Sequence, residues 1–133
     1  MSPLAAYADL MDGLRSYYAR REGDNASASF SAVALLSTLF IANISGTVFL
    51  TNELLHGGTM TLAPWILANR GAVVLVSLSI VALHWLLAKK TGVYGRRGAA
   101  RAPDWARRFR VYLWSSVCIF FLPVIIASAR HLL

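Results

Sequence analysis

The chain has 133 residues, of which 57% are hydrophobic and 14% are charged, and its formal net charge is +7. A soluble protein of this length could not bury so much apolar surface, which excludes an ordinary soluble domain and makes the bilayer its natural solvent. The single cysteine, Cys118, excludes an internal disulfide and a cysteine-based zinc site.

The first predicted element is an amphipathic helix at about residues 3–21, lying at the membrane interface. Apolar side chains recur from Leu4 to Tyr18 at steps of three and four residues. Ser2 can cap this helix, and Pro3 suits its first turn. Two tyrosines followed by two arginines near its end favour an interfacial position over the alternative, a soluble helix that packs on a partner protein.

The first transmembrane helix is predicted at about residues 27–51, because residues 26–52 contain no charged side chain. Such a segment can cross a hydrocarbon core of about 30 Å with some tilt. Small side chains recur on it every four residues, with polar side chains beside them. Because small residues let helices approach closely and a buried amide needs a partner, we predict a helix-packing interface. Its residues are Ala34, Thr38, Ala42, Asn43, Gly46 and Thr47.

The second transmembrane helix is predicted at about residues 65–88, beginning near Pro64 and Trp65. The connection before it has no lysine or arginine, which places it outside the cell. Arg70 has two interpretations. In the favoured one the apolar span begins just after it, so that it lies among the outer headgroups. In the other it is drawn inward and either snorkels or pairs with Glu53.

A basic loop at about residues 89–103 separates the second span from a third at about residues 104–130. The loop and the start of the third span hold eight cations and one acid, Asp104, so the net charge resides there. Such a cluster beside an apolar span indicates the cytoplasmic side and anionic lipid headgroups. The predicted anchors are Lys89, Lys90, Arg96, Arg97, Arg101, Trp105, Arg107, Arg108 and Arg110.

The third span contains Pro123, whose ring removes the hydrogen bond to the carbonyl of Ile119 and predicts a helix kink. The resulting fold class is an all-α membrane protein with three transmembrane helices after the amphipathic helix, all in one domain. Cation placement predicts a multi-pass protein of the bacterial inner membrane with its amino terminus in the cytoplasm and its carboxyl terminus outside.

Catalytic and metal-binding motifs are not evident in the sequence. We therefore expect no catalytic residue, no metal and no resident cofactor. Nucleic acid is not an expected partner, because the cations lie between two apolar runs rather than on a folded face. The expected partners are the anionic lipid bilayer and either further copies of this chain or a larger membrane complex.

One short pattern resembles the membrane-anchor C subunit of fumarate reductases. It consists of Arg21-Glu22-Gly23 before the first span and His84 near the inner end of the second, with similar length and topology. The residues after His84, WLLAKKTG, depart from that pattern. The resemblance implies a quinone-site anchor of a redox enzyme, with a quinone contacted by Arg21, Glu22 and His84. Without it, His84 is interpreted as an interfacial histidine bonded to a neighbour or a headgroup.

Three functions follow from these features. The favoured one is a small non-catalytic membrane protein that acts through helix packing, as a homo-oligomer or as an accessory subunit of a larger complex. The alternatives are the quinone-site anchor and a membrane-perturbing effector or an immunity protein against one.

Overall fold

The computed structural model describes residues 2–23, 26–56, 62–90 and 104–132, without the side chains of residues 22, 62, 63 and 131. These residues form five helices and no strand: α1 Pro3–Glu22, α2 Ala26–His56, α3 Leu62–Ala68, α4 Arg70–Lys90 and α5 Trp105–Leu132. Helices α2, α4 and α5 are each long and apolar enough to cross a membrane. The predicted fold class is therefore confirmed, and the three apolar helices fit a small multi-pass membrane protein.

Helix α2 is the centre of the bundle, because α1, α4 and α5 all pack on it. Its 31 residues extend for about 46 Å, longer than a hydrocarbon core of about 30 Å. Glu53 near the end of α2 bonds Arg130 near the end of α5, so these two helices run in the same direction. Ala88 at the end of α4 belongs to the same buried core cluster as Ala32 near the start of α2, so α4 runs the opposite way.

Two ends of the bundle follow from these directions. The basic end holds Lys89 and Lys90 from α4 and Arg107, Arg108 and Arg110 from α5. The opposite end holds the carboxyl termini of α2 and α5 and the start of α4, and is called the Glu53 end.

Helix α1 closes the basic end of the bundle. Ser2 Oγ accepts a hydrogen bond from the Ala5 amide at 3.2 Å, which caps the helix, and Gly23 ends it with φ 88°. Ala8, Met11 and Leu14 are buried, Met11 with only 1% exposure, and they belong to the same core as α2 residues. The apolar stripe of α1 is thus covered largely by the other helices, and α1 is part of the packed core.

Gly13 fixes how α1 meets α5. A β-carbon built on Gly13 would overlap the indole ring of Trp105, so the ring lies directly against the α1 backbone. Trp105, predicted as a headgroup anchor, is half-buried in this contact. A glycine is needed here because any side chain would occupy the space of the ring.

Gly13→Val is expected to displace Trp105 and loosen α1 from the bundle, lowering the free energy of unfolding by about 1–3 kcal/mol. Thermal unfolding in a mild detergent, with limited proteolysis of α1, measures both effects. Gly71→Val is the matched control, because a β-carbon at Gly71 would meet nothing within 4 Å. If Gly13→Val and Gly71→Val have the same thermal stability and the same rate of proteolysis in α1, Trp105 does not pack against Gly13 as described.

Helices α3 and α4 are nearly continuous across Asn69. The Asn69 amide bonds the Trp65 carbonyl at 3.0 Å, and the Val73 amide bonds the Asn69 carbonyl at 3.1 Å. The Asn69 side chain also donates to the Trp65 carbonyl, at 2.8 Å, so it competes with the backbone at the junction. The span predicted at about residues 65–88 thus contains most of α3 and most of α4. Arg70, the first residue of α4, is exposed.

Candidate functional site

Helices α2 and α5 approach each other closely at Gly46. A β-carbon on Gly46 would lie 2.5 Å from the carbonyl oxygen of Ile119 and 2.9 Å from the Cα of Phe120. Ile119 is the residue whose carbonyl loses its helical partner because Pro123 has no amide hydrogen. The glycine therefore lets α2 approach a backbone carbonyl that α5 cannot satisfy itself. A weak Cα–H···O contact is the interaction that such an approach permits.

A polar link joins the same two helices nearer the basic end. Asn43 Nδ2 donates to the hydroxyl of Tyr112 at 3.3 Å, and Ser116 Oγ donates to the Tyr112 carbonyl at 2.8 Å. Asn43 Oδ1 and Ser37 Oγ are buried and have no hydrogen-bond partner among the described residues. Among the described residues, the amide of Asn43 has a partner for its nitrogen but none for its oxygen, so this part of α2 is a polar point inside an apolar helix.

The small and polar residues of the predicted helix-packing interface on α2 differ in burial. Ala34 and Ala42 are partly buried, whereas Thr38 and Thr47 are exposed. Thr38 Oγ1 donates to the Ala34 carbonyl at 2.8 Å, so it is satisfied by its own helix. Of the six residues of the predicted helix-packing interface, Gly46 is the fully buried one, and it packs on α5 of the same chain.

An ion pair joins α2 and α5 at the Glu53 end. Arg130 Nη1 donates to both the carbonyl oxygen and Oε1 of Glu53, each at 2.9 Å. The Glu53 side chain is only 2% exposed, whereas that of Arg130 is 46% exposed. Sequence reasoning considered Arg70 as the partner of Glu53 and missed Arg130. A signal in the sequence could have found this pair. Helices α2 and α5 have similar lengths, and three spans make the first and third parallel, so Glu53 and Arg130 near their ends fall at the same depth.

The basic end presents its cations outward. Lys89 and Lys90 are exposed at the end of α4, and Arg107 and Arg110 are exposed on α5. Arg108 Nε donates to Asp104 Oδ2 at 2.7 Å, and this bond holds the pKa of the Asp104 carboxyl below its usual value. Both partners are nearly half exposed, so the pair contributes little stability. The predicted anchors Arg96, Arg97 and Arg101 lie outside the described residues.

His84 is buried between aromatic side chains at the basic end. Its ring centroid lies 5.9 Å from that of Tyr7 and 5.4 Å from that of Phe40, in an edge-on arrangement with the latter. Its Nδ1 is 2.9 Å from the Ile80 carbonyl, and the Tyr7 hydroxyl donates to the His84 carbonyl at 3.3 Å. Tyr7 and Phe40 are neighbours that sequence reasoning missed, because they are distant in the chain.

A cavity of about 360 Å³ lies beside His84 and is lined by residues of α1, α2, α4 and α5. Arg21, proposed from sequence to join His84, is not among its lining residues. The Arg21 guanidinium instead lies over the ring of Tyr17, 4.9 Å from its centroid. The side chain of Glu22 lies outside the described residues. The structure thus does not bring Arg21 to His84 and surrounds the histidine with aromatic and apolar side chains.

No group of three or more His, Cys, Asp or Glu side chains able to hold a metal is found within the described ranges. Comparison with protein-family models, with curated proteins and with solved structures finds no match to this chain.

Proposed function

We propose that this protein is a small non-catalytic protein of the bacterial inner membrane that acts through helix packing, as a homo-oligomer or as an accessory subunit of a larger complex. Its basic end faces the cytoplasm, because exposed lysines and arginines beside apolar spans favour that side. Anionic lipid headgroups are the expected contacts of Lys89, Lys90, Arg107 and Arg110.

The observation that carries the proposal is an open apolar groove between α2 and α4. The two helices are packed near the basic end, where His84 and Ala88 are buried, but residues 71–76 of α4 are all exposed. The gap between them holds about 290 Å³ and lies towards the Glu53 end. It is lined by apolar side chains with small residues among them, including Ile44, Ser45, Val48, Ala72, Val76 and Ser77.

A groove of this kind suits a transmembrane helix of a partner. Helices associate in lipid through close packing at small residues, because lipid tails are as apolar as the side chains themselves. Ser77 Oγ donates to the Val73 carbonyl at 2.9 Å, so its hydroxyl is already satisfied when a partner approaches. A helix seated between α2 and α4 would cover the half of α4 that the described residues leave exposed.

Val76→Trp is expected to fill the groove and to shift the protein from its native assembly to a smaller species on sizing in mild detergent. Ile125→Trp is the matched control, because Ile125 is an exposed apolar residue on α5 outside the groove. It should leave the assembly unchanged. Retention of the native assembly by Val76→Trp would show that the groove is not the interface.

Co-expression of two differently tagged copies distinguishes a homo-oligomer from an accessory subunit of a larger complex. Recovery of both tags after purification through one of them indicates a homo-oligomer. Recovery of a different membrane protein at a fixed ratio, lost in Val76→Trp and kept in Ile125→Trp, indicates an accessory subunit. A protein that purifies as a monomer with neither partner would contradict both forms.

A further inference from the structure

An open cavity at the basic end lies along one face of α5. It holds about 490 Å³, and its lining residues recur at helical spacing, so they form a single stripe. The stripe begins with charged side chains around the start of α5 and becomes largely apolar further along the helix. The lining residues are Asp104, Arg107, Arg108, Val111, Tyr112 and Ser115.

The charged side chains in this wall have different partners. Arg108 Nε donates to Asp104 Oδ2 at 2.7 Å, so that guanidinium is already paired with an acid. Asp104 Oδ1 accepts no hydrogen bond from another described residue, and the Asp104 side chain is 43% exposed. Arg107 is exposed and forms no hydrogen bond or ion pair with another described residue. The wall thus offers a guanidinium that can bind a phosphate and, beside it, a carboxylate oxygen that can accept from a cation.

Acids balance the arginines around this cavity. A second cavity, of about 210 Å³, adjoins it and shares Arg108 and Tyr112 with it. Asp9 of α1 lines this second cavity. The charged residues of the two walls are therefore two arginines and two acids, with no net formal charge among them. A zwitterionic ligand matches such walls better than an anionic one, although the basic end as a whole is positive.

The cavity lies at the depth of a lipid head. Arg107 belongs to the basic end, and Val111, which is 61% exposed, begins the apolar part of α5 about 6 Å further along the helix axis. Ser115 lies one turn deeper on the same stripe, and its small side chain leaves room beside the helix. A ligand held at Arg107 can thus extend an apolar chain along Val111 and Ser115 into the hydrocarbon.

We propose that this cavity binds a zwitterionic phospholipid head in which a phosphate is joined to a primary ammonium, the chemistry of phosphatidylethanolamine. The phosphate accepts from Arg107, and the ammonium donates to Asp104 Oδ1. A choline head has no N–H to donate to Asp104, and a phosphatidylglycerol head is anionic. The site goes beyond the general attraction of anionic lipid to the basic end. It rests on the membrane setting of the proposed function and not on the groove between α2 and α4.

Native mass spectrometry of the delipidated protein in mild detergent tests this selectivity. Dioleoyl lipids with ethanolamine, choline and glycerol heads are offered at equal concentration, so that only the head differs. Phosphatidylethanolamine is expected to bind about tenfold more tightly than phosphatidylcholine, which lacks the hydrogen bond to a charged group. It should also bind more tightly than phosphatidylglycerol. Equal binding of the three lipids, or a preference for phosphatidylglycerol, would overturn the proposal.

Three variants assign that selectivity to the cavity. Arg107→Gln removes the guanidinium and should weaken the binding of phosphatidylethanolamine about tenfold. Arg110→Gln is the matched control, because Arg110 is an exposed arginine of α5 outside the cavity. Asp104→Asn keeps the shape of the side chain but removes a negative charge, and should shift the preference towards phosphatidylglycerol. If Arg107→Gln and Arg110→Gln weaken binding alike, the attraction belongs to the basic end in general and not to this cavity.

Lipid selectivity and assembly can be lost independently. Arg107→Gln is expected to keep the native assembly, and Val76→Trp is expected to keep the preference for phosphatidylethanolamine, because the cavity and the groove share no lining residue. Loss of the preference in Arg107→Gln with an intact assembly supports the lipid site whether or not the groove is the interface. Loss of the preference in Val76→Trp would show that the lipid binds at the groove, contrary to this proposal.

Discussion

Gly46→Ala is expected to lower the free energy of unfolding by about 3 kcal/mol, although it adds a single methyl group. The added carbon would lie 2.5 Å from the Ile119 carbonyl oxygen and 2.9 Å from the Phe120 Cα. Both atoms belong to the backbone of α5, so no side-chain rotation relieves the overlap. The two helices must separate along the most extensive contact in the bundle, and the Asn43–Tyr112 hydrogen bond lies on the same contact.

Gly71→Ala is the control for this experiment, because it makes the same chemical change in a helix where the added carbon meets nothing within 4 Å. Alanine is the better helix former, so this variant should be as stable as the wild type or more stable by up to about 1 kcal/mol. Thermal or denaturant unfolding in one detergent compares the three proteins. If Gly46→Ala also gains stability, the α2–α5 contact is looser than the structure indicates.

The helices of this protein could be predicted from its sequence, because each is bounded by charge or by a break in an apolar run. The three spans and the N-terminal helix follow from local composition alone. The connection at Asn69 could not be located in this way, since the hydrogen bonds run through it and the break comes from one amide side chain that competes for the Trp65 carbonyl.

What each helix face contacts was harder to predict. Periodicity on α1 shows that one face needs apolar contact, but lipid and protein satisfy that need equally well, and in the structure Met11 and Leu14 pack in the core. The small residues of α2 indicate close helix approach without identifying the neighbour. At Gly46 that neighbour is α5 of the same chain, at the Ile119 carbonyl that Pro123 leaves without a helical partner. That Gly46 lies beside this carbonyl depends on how the two helices are aligned, which the sequence does not show.

Long-range partners of the polar residues could not be predicted, because they depend on helix direction. Arg70 is nearer to Glu53 in sequence, but α2 and α5 run in parallel, which brings Arg130 to the carboxylate. The position of His84 near the end of a span marks it as a candidate site residue, but its contacts with Tyr7 and Phe40 come from the way α1 and α2 pack on α4 at the basic end.

Arg130→Ala is expected to lower the free energy of unfolding by about 3 kcal/mol. This is a larger loss than that expected for Glu53→Gln, because Glu53 is buried and Arg130 is half exposed. Arg130→Ala removes two hydrogen bonds to Glu53, whose carboxylate is 2% exposed and cannot turn to water without moving α2. Glu53→Gln leaves Arg130 in place, and that side chain is 46% exposed and can extend towards the headgroups. A cost of about 1 kcal/mol is expected for this variant.

The double variant Glu53→Gln, Arg130→Ala should be more stable than Arg130→Ala alone, because it no longer buries a carboxylate without the guanidinium. Such a recovery is the signature of two residues that act as a pair. Arg70→Ala is the control for the general loss of a cation at the Glu53 end, since Arg70 is exposed at the start of α4. Unfolding of the wild type, the two single variants and the double variant in one detergent measures the cycle, and Arg70→Ala is measured beside them. If Arg130→Ala is no less stable than Arg70→Ala, the ion pair does not hold α2 and α5 together.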